Sequence, residues 1–427
     1  MGGLLSLCGS GVRKDEDGGG MDIELVSANV VDKRSDDSCI DEPIAKPDII
    51  RFFMAGLGSA GKTTVIRQLQ LLSLSDNKRY KMCDEDWKEG NHEALKTDYE
   101  NNAVWIQIVR KNILDSLNLF VKQVEEEELV YDTEDNLNFS IFLSDAMDED
   151  ESWEYFKENR KDPLQDIINL FEDSTFLQVM THKNKIKVEG KRLFDGCDHF
   201  LKTDKINQVF GDQFVPDEED KVRCRNPTQD MHTYRFKIYD TNIEIYDVGG
   251  QKSERAKVGE YLKYWANLGS PNAKNFILLV VAMSDYNEPL TEFEGTLLDE
   301  CLEYMKNLLE NPFASKCGLL IFFNKKDRFL QKLKDEDCRQ DIHYLKAYLD
   351  KKIIKEYKAD GSFKEEDMHR AIASKFAEII NSNKIKRERD TYVRFTCAID
   401  KIMMESIFGT VYYEIMRERQ SKDDLFP

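Results

Sequence analysis

The sequence predicts an α/β fold, a mostly parallel sheet with one antiparallel hairpin strand, interrupted by an inserted all-helical domain. Apolar strand candidates alternate with helical stretches after residue 230, and another strand and helix flank a glycine-rich loop near residue 56. The chain between these two regions has helical periodicity only. We therefore expect residues 48–75 and 223–427 to form one α/β domain, with residues 76–222 inserted as helices.

The α/β domain is predicted to begin with the strand IIRFFMA (residues 49–55), the loop GLGSAGKTT and a helix over residues 63–74. The loop sets two glycines ahead of a lysine and a threonine, so that successive N–H groups and a helix N-terminus face an anion. Lys62 is expected to reach the β- and γ-phosphates of a nucleotide, and the Thr63 hydroxyl to take one position on Mg²⁺. The predicted nucleotide contacts here are Gly56, Ser59, Ala60, Gly61, Lys62, Thr63 and Thr64.

The insert is predicted from two long stretches, residues 101–124 and 162–180, whose apolar side chains recur at helical spacing. Between them, residues 125–151 hold twelve acidic side chains and no lysine or arginine. Such a charge run is more often a solvated or disordered loop than a docking tail for a partner. We expect the loop.

Further strands are predicted at five places, residues 234–240, 242–248, 275–283, 317–324 and 392–398. The first two meet at Thr241 and Asn242 and are expected to form a hairpin. With the first strand counted, five of the six candidates can form a parallel sheet. Ligand groups in such sheets come from loops at the carboxyl ends of the strands.

DVGGQ, residues 247–251, follows one of these strands and offers groups suited to the phosphate end of a nucleotide. The Asp247 carboxylate can reach Mg²⁺ through water, the Gly250 N–H can donate to a γ-phosphate, and the Gln251 amide can orient a water. The alternative for Gln251 is an ordinary loop amide.

NKKD, residues 324–327, follows another apolar strand and predicts guanine rather than adenine as the base. The Asp327 carboxylate can accept hydrogen bonds from the guanine N1–H and exocyclic amine, a donor pair that adenine lacks on that edge. Asn324 is expected to brace the neighbouring loops and the Lys325 stem to cover the base. In TCAID, farther along, the Ala398 N–H is expected to donate to guanine O6.

RCRNPT, residues 223–228, lies between the predicted insert and the hairpin. Arg225 and Thr228 are three residues apart in a loop, so the guanidinium and the hydroxyl can converge on γ-phosphate and Mg²⁺. An ordinary surface arginine is the alternative interpretation of Arg225.

The composition excludes several other classes of protein. A net charge of −20 disfavours nucleic acid as a partner. Nine cysteines without a CxxC pair argue against a disulfide framework or a zinc site, and favour a reducing compartment. No apolar run approaches the ~20 residues of a membrane span.

Residues 1–47 are predicted to form a flexible arm that carries lipidation signals in its first ten residues, MGGLLSLCGS. Met1, Gly2 and Ser6 fit the N-myristoylation pattern, and Cys8 is available for a reversible thioester. Two lipids would anchor the chain at the cytoplasmic face of the plasma membrane, whereas one would not. The alternative is a frayed, glycine-rich terminus.

Five motifs follow one another in the chain, with a helical insert after the first: GLGSAGKT, RCRNPT, DVGGQKSER, NKKD and TCAID. Together they resemble a heterotrimeric G-protein alpha subunit over roughly residues 48–410. The resemblance implies a Ras-like P-loop GTPase domain, a helical domain that closes over GTP or GDP, and slow GTP hydrolysis as a signalling timer. It also implies three partners: a beta-gamma dimer, a G-protein-coupled receptor or other exchange factor, and an effector.

The resemblance assigns roles to the motif residues one by one. Thr63 and Thr228 would ligate Mg²⁺ directly, and Asp247 would hold it through water. Arg225 would be an arginine finger supplied in cis, and Gln251 would position the attacking water.

The resemblance also implies a conformational response and one interdomain contact. Hydrolysis would release residues 225–230 and 249–262 from an ordered state. Asp195 would face the lysine of NKKD, Lys325, from the helical domain.

The chain departs from the family at several positions. Ser59 and Ala60 stand where members usually carry glutamate and serine, which predicts looser domain closure and faster GDP release. Val258 stands where switch II of family members usually has a tryptophan. The arm shows no long amphipathic helix for a beta-gamma dimer, and the C-terminal sequence leaves the receptor open.

Two other functions stay open. The first is a scaffold that binds GTP with little or no turnover, although such a protein needs neither Arg225 nor Gln251. The second is a small-GTPase-like trafficking protein with an unrelated insert, which does not explain why the insert precedes RCRNPT.

Overall fold

The computed structural model describes residues 5–6, 49–90, 101–149, 153–188, 190–226, 231–250, 255–268, 273–290 and 294–417. Four predicted functional residues lie outside these ranges: Gly2, Cys8, Thr228 and Gln251. Within them, no helix is both long enough and apolar enough to span a membrane.

An eight-stranded sheet forms the centre of the α/β domain, and a two-stranded ribbon lies in the insert. The strands in chain order are β1 (Leu5–Ser6), β2 (Ile50–Ala55), β3 (Tyr80–Cys83), β4 (Lys187–Val188), β5 (Lys191–Arg192), β6 (Met231–Ile238), β7 (Thr241–Val248), β8 (Lys274–Ala282), β9 (Gly318–Asn324) and β10 (Thr391–Phe395). The sheet order is β1-β10-β9-β8-β2-β7-β6-β3, and β4 pairs with β5. Strands β10, β9, β8, β2 and β7 pair in parallel, which confirms the predicted five parallel strands.

The predicted hairpin is present, but its turn lies two residues earlier than expected. Strands β6 and β7 are antiparallel, with Ile238 opposite Thr241. The turn is therefore Tyr239 and Asp240, and Tyr239 takes a left-handed conformation with φ 49°. Thr241 is β-branched and buried, so it is better suited to the ladder than to a turn that requires positive φ.

Helices lie on both faces of the sheet and in the insert. Those of the α/β domain are α1 (Lys62–Ser75) before the insert and, after it, α10 (Val258–Asn267), α11 (Leu297–Leu309), α12 (Pro312–Ser315), α13 (Lys326–Lys334), α14 (Lys351–Asp360), α15 (Glu365–Ser382) and α16 (Lys401–Arg417). Those of the insert are α2 (Asn102–Glu126), α3 (Glu134–Glu149), α4 (Trp153–Asn159), α5 (Pro163–Glu172), α6 (Ser174–Thr181), α7 (Cys197–Phe200), α8 (Thr203–Phe210) and α9 (Glu218–Arg223). Short 3-10 helices span Met283–Asn287 and Arg339–Ala347.

The period-two alternation of the strands divides the core of the α/β domain into two layers. On β2, Ile50, Phe52 and Met54 face a cluster shared with α1 and α16. Phe53 and Ala55 face the opposite cluster, which includes residues of α10 through α15. Because both faces are covered, β2 is buried at every position, as expected of a central parallel strand.

The insert has a core of its own, built around α2 and including Ile113, Phe120 and Phe176. The predicted helical stretch 162–180 is two helices rather than one. Asp173 separates them, and its carboxylate accepts hydrogen bonds from the first N–H groups of α6, at Thr175 (3.0 Å) and Phe176 (3.3 Å). A buried N-cap aspartate thus starts the second helix at a new angle.

The loop predicted for the acidic stretch 125–151 is wrong over Glu134–Glu149, where the structure has helix α3. Phe139, Leu143 and Ala146 lie on one face of this helix and are at most 1 % exposed. Their spacing of four and three residues is helical, and their burial in the insert core outweighs the repulsion among the acidic residues of the same helix.

The insert also departs from the predicted boundaries and from a purely helical composition. Tyr80–Cys83, assigned to the helical residues 76–222, instead forms edge strand β3 of the main sheet, antiparallel to β6. The ribbon of β4 and β5 interrupts the helices later in the insert. The strand at β3 extends the sheet of the α/β domain before the chain enters the helices.

Candidate functional site

A loop at the carboxyl end of β2 has the conformation that the glycine pattern predicts. Gly56 and Gly61 have φ of 142° and 97°, values that L side chains rarely adopt. A Cβ on Gly56 would lie 2.3 Å from the Val280 carbonyl oxygen, and one on Gly61 would lie 2.3 Å from Asn324 Nδ2. Gly56 therefore allows the loop to approach β8, and Gly61 allows it to approach the NKKD loop.

Lys62 begins helix α1 and extends its side chain back across this loop. Its ammonium donates to the carbonyl oxygens of Gly56 (3.0 Å) and Leu57 (3.2 Å). Burial lowers the pKa of Lys62 to about 8, and the nearby Asp247 carboxylate only partly opposes that effect. A buried ammonium held by carbonyl oxygens alone is well placed to receive a phosphate charge.

Nucleotide affinity is expected to fall as pH rises above about 8. Phosphate binding stabilises the ammonium form of Lys62, so its pKa is higher in the complex than in the free protein, and binding takes up a proton above the free value of about 8. The affinity for GDP should decrease by up to about tenfold between roughly pH 7.5 and pH 9. Calorimetry in two buffers of different ionisation enthalpy at about pH 8.5 measures this uptake. Binding without proton uptake would contradict the assignment.

Two oxygen donors at the phosphate end suit a magnesium ion. Asp247, fully buried at the end of β7, supplies a carboxylate, and Thr63 supplies a hydroxyl at the cavity wall. Gly250 lies against the loop, since a Cβ there would be 2.4 Å from Lys62 Nζ and 2.7 Å from Gly58 N. Oxygen donors beside a phosphate site are the ligands that Mg²⁺ prefers, so Thr63 and Asp247 fit the ion.

The NKKD loop is braced against its neighbours by Asn324. Its Nδ2 donates to the Ala60 carbonyl (2.9 Å), and its Oδ1 accepts from Thr396 Oγ1 (3.0 Å) and from the Ala398 N–H (2.9 Å). The bracing role predicted for Asn324 is therefore present. The Ala398 N–H, which is predicted to donate to guanine O6, donates here to Asn324 Oδ1, so a base oxygen would have to share it.

Lys325 and Asp327 of the NKKD loop both line the cavity. Lys325 has a left-handed backbone with φ 59°, and its ammonium pairs with Asp195 of the insert, as the resemblance implies. Burial alone would raise the pKa of Asp195, but the charges of Lys325, Arg192 and Arg328 hold it well below the ordinary value. Asp327 lies beside Cys397, whose thiol pKa rises to about 12 through burial and then through this carboxylate.

Arg225 is held at the cavity by helix α2 of the insert. Its N–H donates to Asn112 Oδ1 (2.5 Å) and its carbonyl accepts from Asn112 Nδ2 (2.9 Å). Just before it, the Cys224 carbonyl accepts from the Arg67 guanidinium of α1 (2.8 Å). The loop that carries Arg225 is thus fixed to both domains.

One cavity collects most of the predicted residues. Its walls include the predicted contacts Ser59, Ala60, Gly61, Lys62, Thr63, Thr64, Asp195, Arg225, Gly250, Asn324, Lys325, Asp327 and Ala398. Gly56 does not line the cavity, but its carbonyl oxygen accepts a hydrogen bond from the Lys62 ammonium.

Several residues at this cavity escaped the motif analysis. Arg192 and Arg328 line the cavity from the insert and from α13, and Asn112 positions Arg225. Only the position of Arg328, immediately after NKKD, offered any local signal. The other two act across the domain boundary, which the order of residues does not reveal.

The cavity has a phosphate loop with a buried lysine, a base loop two strands away and an opposite wall formed by the insert. These features define a nucleotide-binding α/β domain. A family model described as G-protein alpha subunit matches residues 31–415. The chain belongs to this family, whose members are guanine-nucleotide-binding signalling switches. Its two parts are accordingly a Ras-like P-loop GTPase domain and an inserted helical domain.

Individual relatives are distant but cover much of the chain. The guanine nucleotide-binding protein alpha-9 subunit of Dictyostelium discoideum is 24% identical over 300 residues, which is 70% of this chain and 75% of that protein. The alpha-2 subunit of Caenorhabditis elegans is 23% identical over 382 residues, 88% and 91% of the two chains. The G(o) subunit alpha of Lymnaea stagnalis is 24% identical over 286 residues, 67% and 70%.

Proposed function

We propose that this chain binds GTP, hydrolyses it to GDP and phosphate with Mg²⁺, and couples a membrane receptor to an intracellular effector. The observation that carries the proposal is one cavity whose wall contains Lys62 of the phosphate loop, Asp327 of the base loop and Arg225 of the segment after the insert. A single nucleotide can therefore meet a phosphate cation, a base-specific carboxylate and a second cation at once.

Binding rests on groups that are fixed before the nucleotide arrives. Gly56 and Gly61 open the loop, and Lys62 offers a buried charge to the β- and γ-phosphates. Asn324 ties the base loop to the phosphate loop, so Asp327 meets the guanine edge at a set distance from the phosphates. Lys325, paired with Asp195, covers the base from the side of the insert.

Hydrolysis rests on Arg225 and Gln251. The Arg225 guanidinium stabilises charge that develops on the transferring phosphoryl group, and Gln251 orients the attacking water in line. When bound, Mg²⁺ neutralises charge shared by the β- and γ-phosphates, and Thr63, Thr228 and Asp247 would hold it. Arg225 needs no partner protein to reach the site, since Asn112 fixes its backbone within the same chain.

A switch requires that GTP and GDP order the chain differently. Contacts of Thr228 and Gly250 to the γ-phosphate exist only with GTP bound, so a non-hydrolysable GTP analogue with Mg²⁺ should protect Lys252, Arg255 and Lys257 from trypsin. The GDP form should be cleaved there. Thr228→Ala is the matched control, expected to lose the protection while still binding GDP. Equal cleavage in both nucleotide states would contradict a switch.

We also propose that the chain is held at the cytoplasmic face of the plasma membrane by a myristoyl group on Gly2 and a thioester-linked acyl group on Cys8. A beta-gamma dimer, a G-protein-coupled receptor or other exchange factor, and an effector are the partners that the family suggests. Mass spectrometry of the N-terminal peptide from eukaryotic cells should show both groups, with only the Cys8 adduct removed by hydroxylamine. An unmodified terminus would refute the anchor.

A further inference from the structure

Helix α13 carries a row of polar side chains that contacts the insert next to the base end of the cavity. We propose that Arg328, at the centre of this row, is a positioning residue that clamps the insert over the nucleotide and limits its release. The proposal rests on the proposed function, because it requires a guanine nucleotide in the cavity. It goes beyond the contact between Lys325 and Asp195 that the family resemblance implies.

The Arg328 guanidinium binds three side chains of the insert at once. Nη1 lies 3.1 Å from Asp198 Oδ2, Nη2 donates to Asn184 Oδ1 at 2.9 Å, and Nε lies 3.7 Å from Asp195 Oδ1. The side chain is only 10% exposed. A planar guanidinium that meets two carboxylates and an amide in a desolvated setting is a specific contact rather than a surface ion pair.

Neighbours on the same helix extend the contact. Gln331 Nε2 donates to Asp198 (2.9 Å), one helical turn after Arg328. Asp335, at the end of α13, accepts from Asn184 Nδ2 (2.6 Å). The row therefore joins the helix that begins inside NKKD to two separate segments of the insert, and Arg328 touches both.

The charges at this contact depend on one another. Burial would raise the pKa of Asp198, but hydrogen bonds from Lys183 and Gln331 and the charge of Arg328 keep it below its ordinary value. Opening the contact would leave a largely buried guanidinium and two carboxylates to be rehydrated together. Removing one charge from the closed contact leaves a partly buried counter-charge without its partner, which costs more than losing one member of an exposed pair.

This contact lies directly beside the base loop. Arg328 follows Asp327 directly, so the residue that reads the base and the residue that holds the insert share one turn of backbone. Asp195 of the insert and Arg328 of α13 both line the cavity. At the phosphate end, Ser59 supplies no carboxylate to bridge the domains. The Arg328 contact at the base end supplies a charged bridge between the two domains that Ser59 does not.

The test is the dissociation rate of a fluorescent GDP analogue from full-length wild type and from Arg328→Gln. Loss of charge-assisted hydrogen bonds worth roughly 1.5–3 kcal/mol corresponds to release about tenfold to a hundredfold faster. The association rate should change much less, because the clamp forms after entry. Arg328→Lys should release the analogue more slowly than Arg328→Gln, since it keeps the charge.

Arg160→Gln is the matched control, because Arg160 pairs with Asp166 (2.8 Å) inside the insert, away from the interface. It should release the analogue at the wild-type rate. Asp198→Asn removes the negative charge of this contact from the other side and decides the matter if Arg328→Gln fails to fold. Wild-type release rates in folded Arg328→Gln or Asp198→Asn would overturn the clamp and leave the proposed function intact. Failure of wild type to bind the analogue would refute both.

Discussion

Arg225→Cys is expected to slow the hydrolysis of bound GTP by about a thousandfold, while GDP affinity changes by only a few fold. The substitution removes the positive charge that stabilises the transferring phosphoryl group, and this charge matters most in the transition state. The backbone hydrogen bonds of residue 225 to Asn112 do not involve the side chain, so the loop should keep its position. Single-turnover release of phosphate from preloaded GTP measures the effect.

Arg223→Cys is the matched control for Arg225→Cys. Arg223 stands two residues earlier and pairs with Glu219 on the same helix (2.8 Å). Its loss should leave hydrolysis within a few fold of wild type. Equal rates for wild type and Arg225→Cys would show that the chain does not use an arginine in cis.

Asp327→Asn is expected to weaken GDP binding by about a hundredfold or more. In the proposed complex the Asp327 carboxylate would accept from two donors on the guanine edge, whereas an amide in its place would set N–H against N–H and leave a buried donor without a partner. Competition of unlabelled nucleotides against a fluorescent GDP analogue measures the change.

The inosine nucleotide separates this base contact from a general loss of structure. It lacks the exocyclic amine, so wild type should bind IDP more weakly than GDP, and Asp327→Asn should show little difference between them. If the variant still preferred GDP over IDP and ADP as strongly as wild type, Asp327 would not read the base.

The sequence revealed the parallel strands because each is a short apolar run with its own boundaries. β2 and β9, for example, are buried along their whole length. Strand β3 is not evident in the sequence. Its four residues mix apolar and polar side chains and become a strand only beside β6, a partner about 150 residues away in the chain. Helix α3 is not evident in the sequence either, because the acidic residues on its outer face obscure the helical spacing of Phe139, Leu143 and Ala146.

The residues of the candidate site likewise include some that the sequence predicts and some that it does not. Lys62, Asn324 and Asp327 stand in contiguous motifs whose local geometry determines their position. Asn112 and Arg328 act through contacts between domains, and the hydrogen bond from the Ala398 N–H to Asn324 depends on how three loops meet. Such contacts are set by long-range packing, which no local pattern in the chain encodes.

The proposed switch depends on hydrolysis of GTP by the chain itself. Its most direct test is single-turnover hydrolysis of GTP preloaded on the wild-type protein and started with Mg²⁺, with GDP release followed in parallel. We predict hydrolysis within minutes, after which GDP stays bound until exchange, so that the two rates together set the active fraction. GTP that binds tightly yet stays intact for hours would contradict this account and favour a GTP-dependent scaffold with little or no turnover.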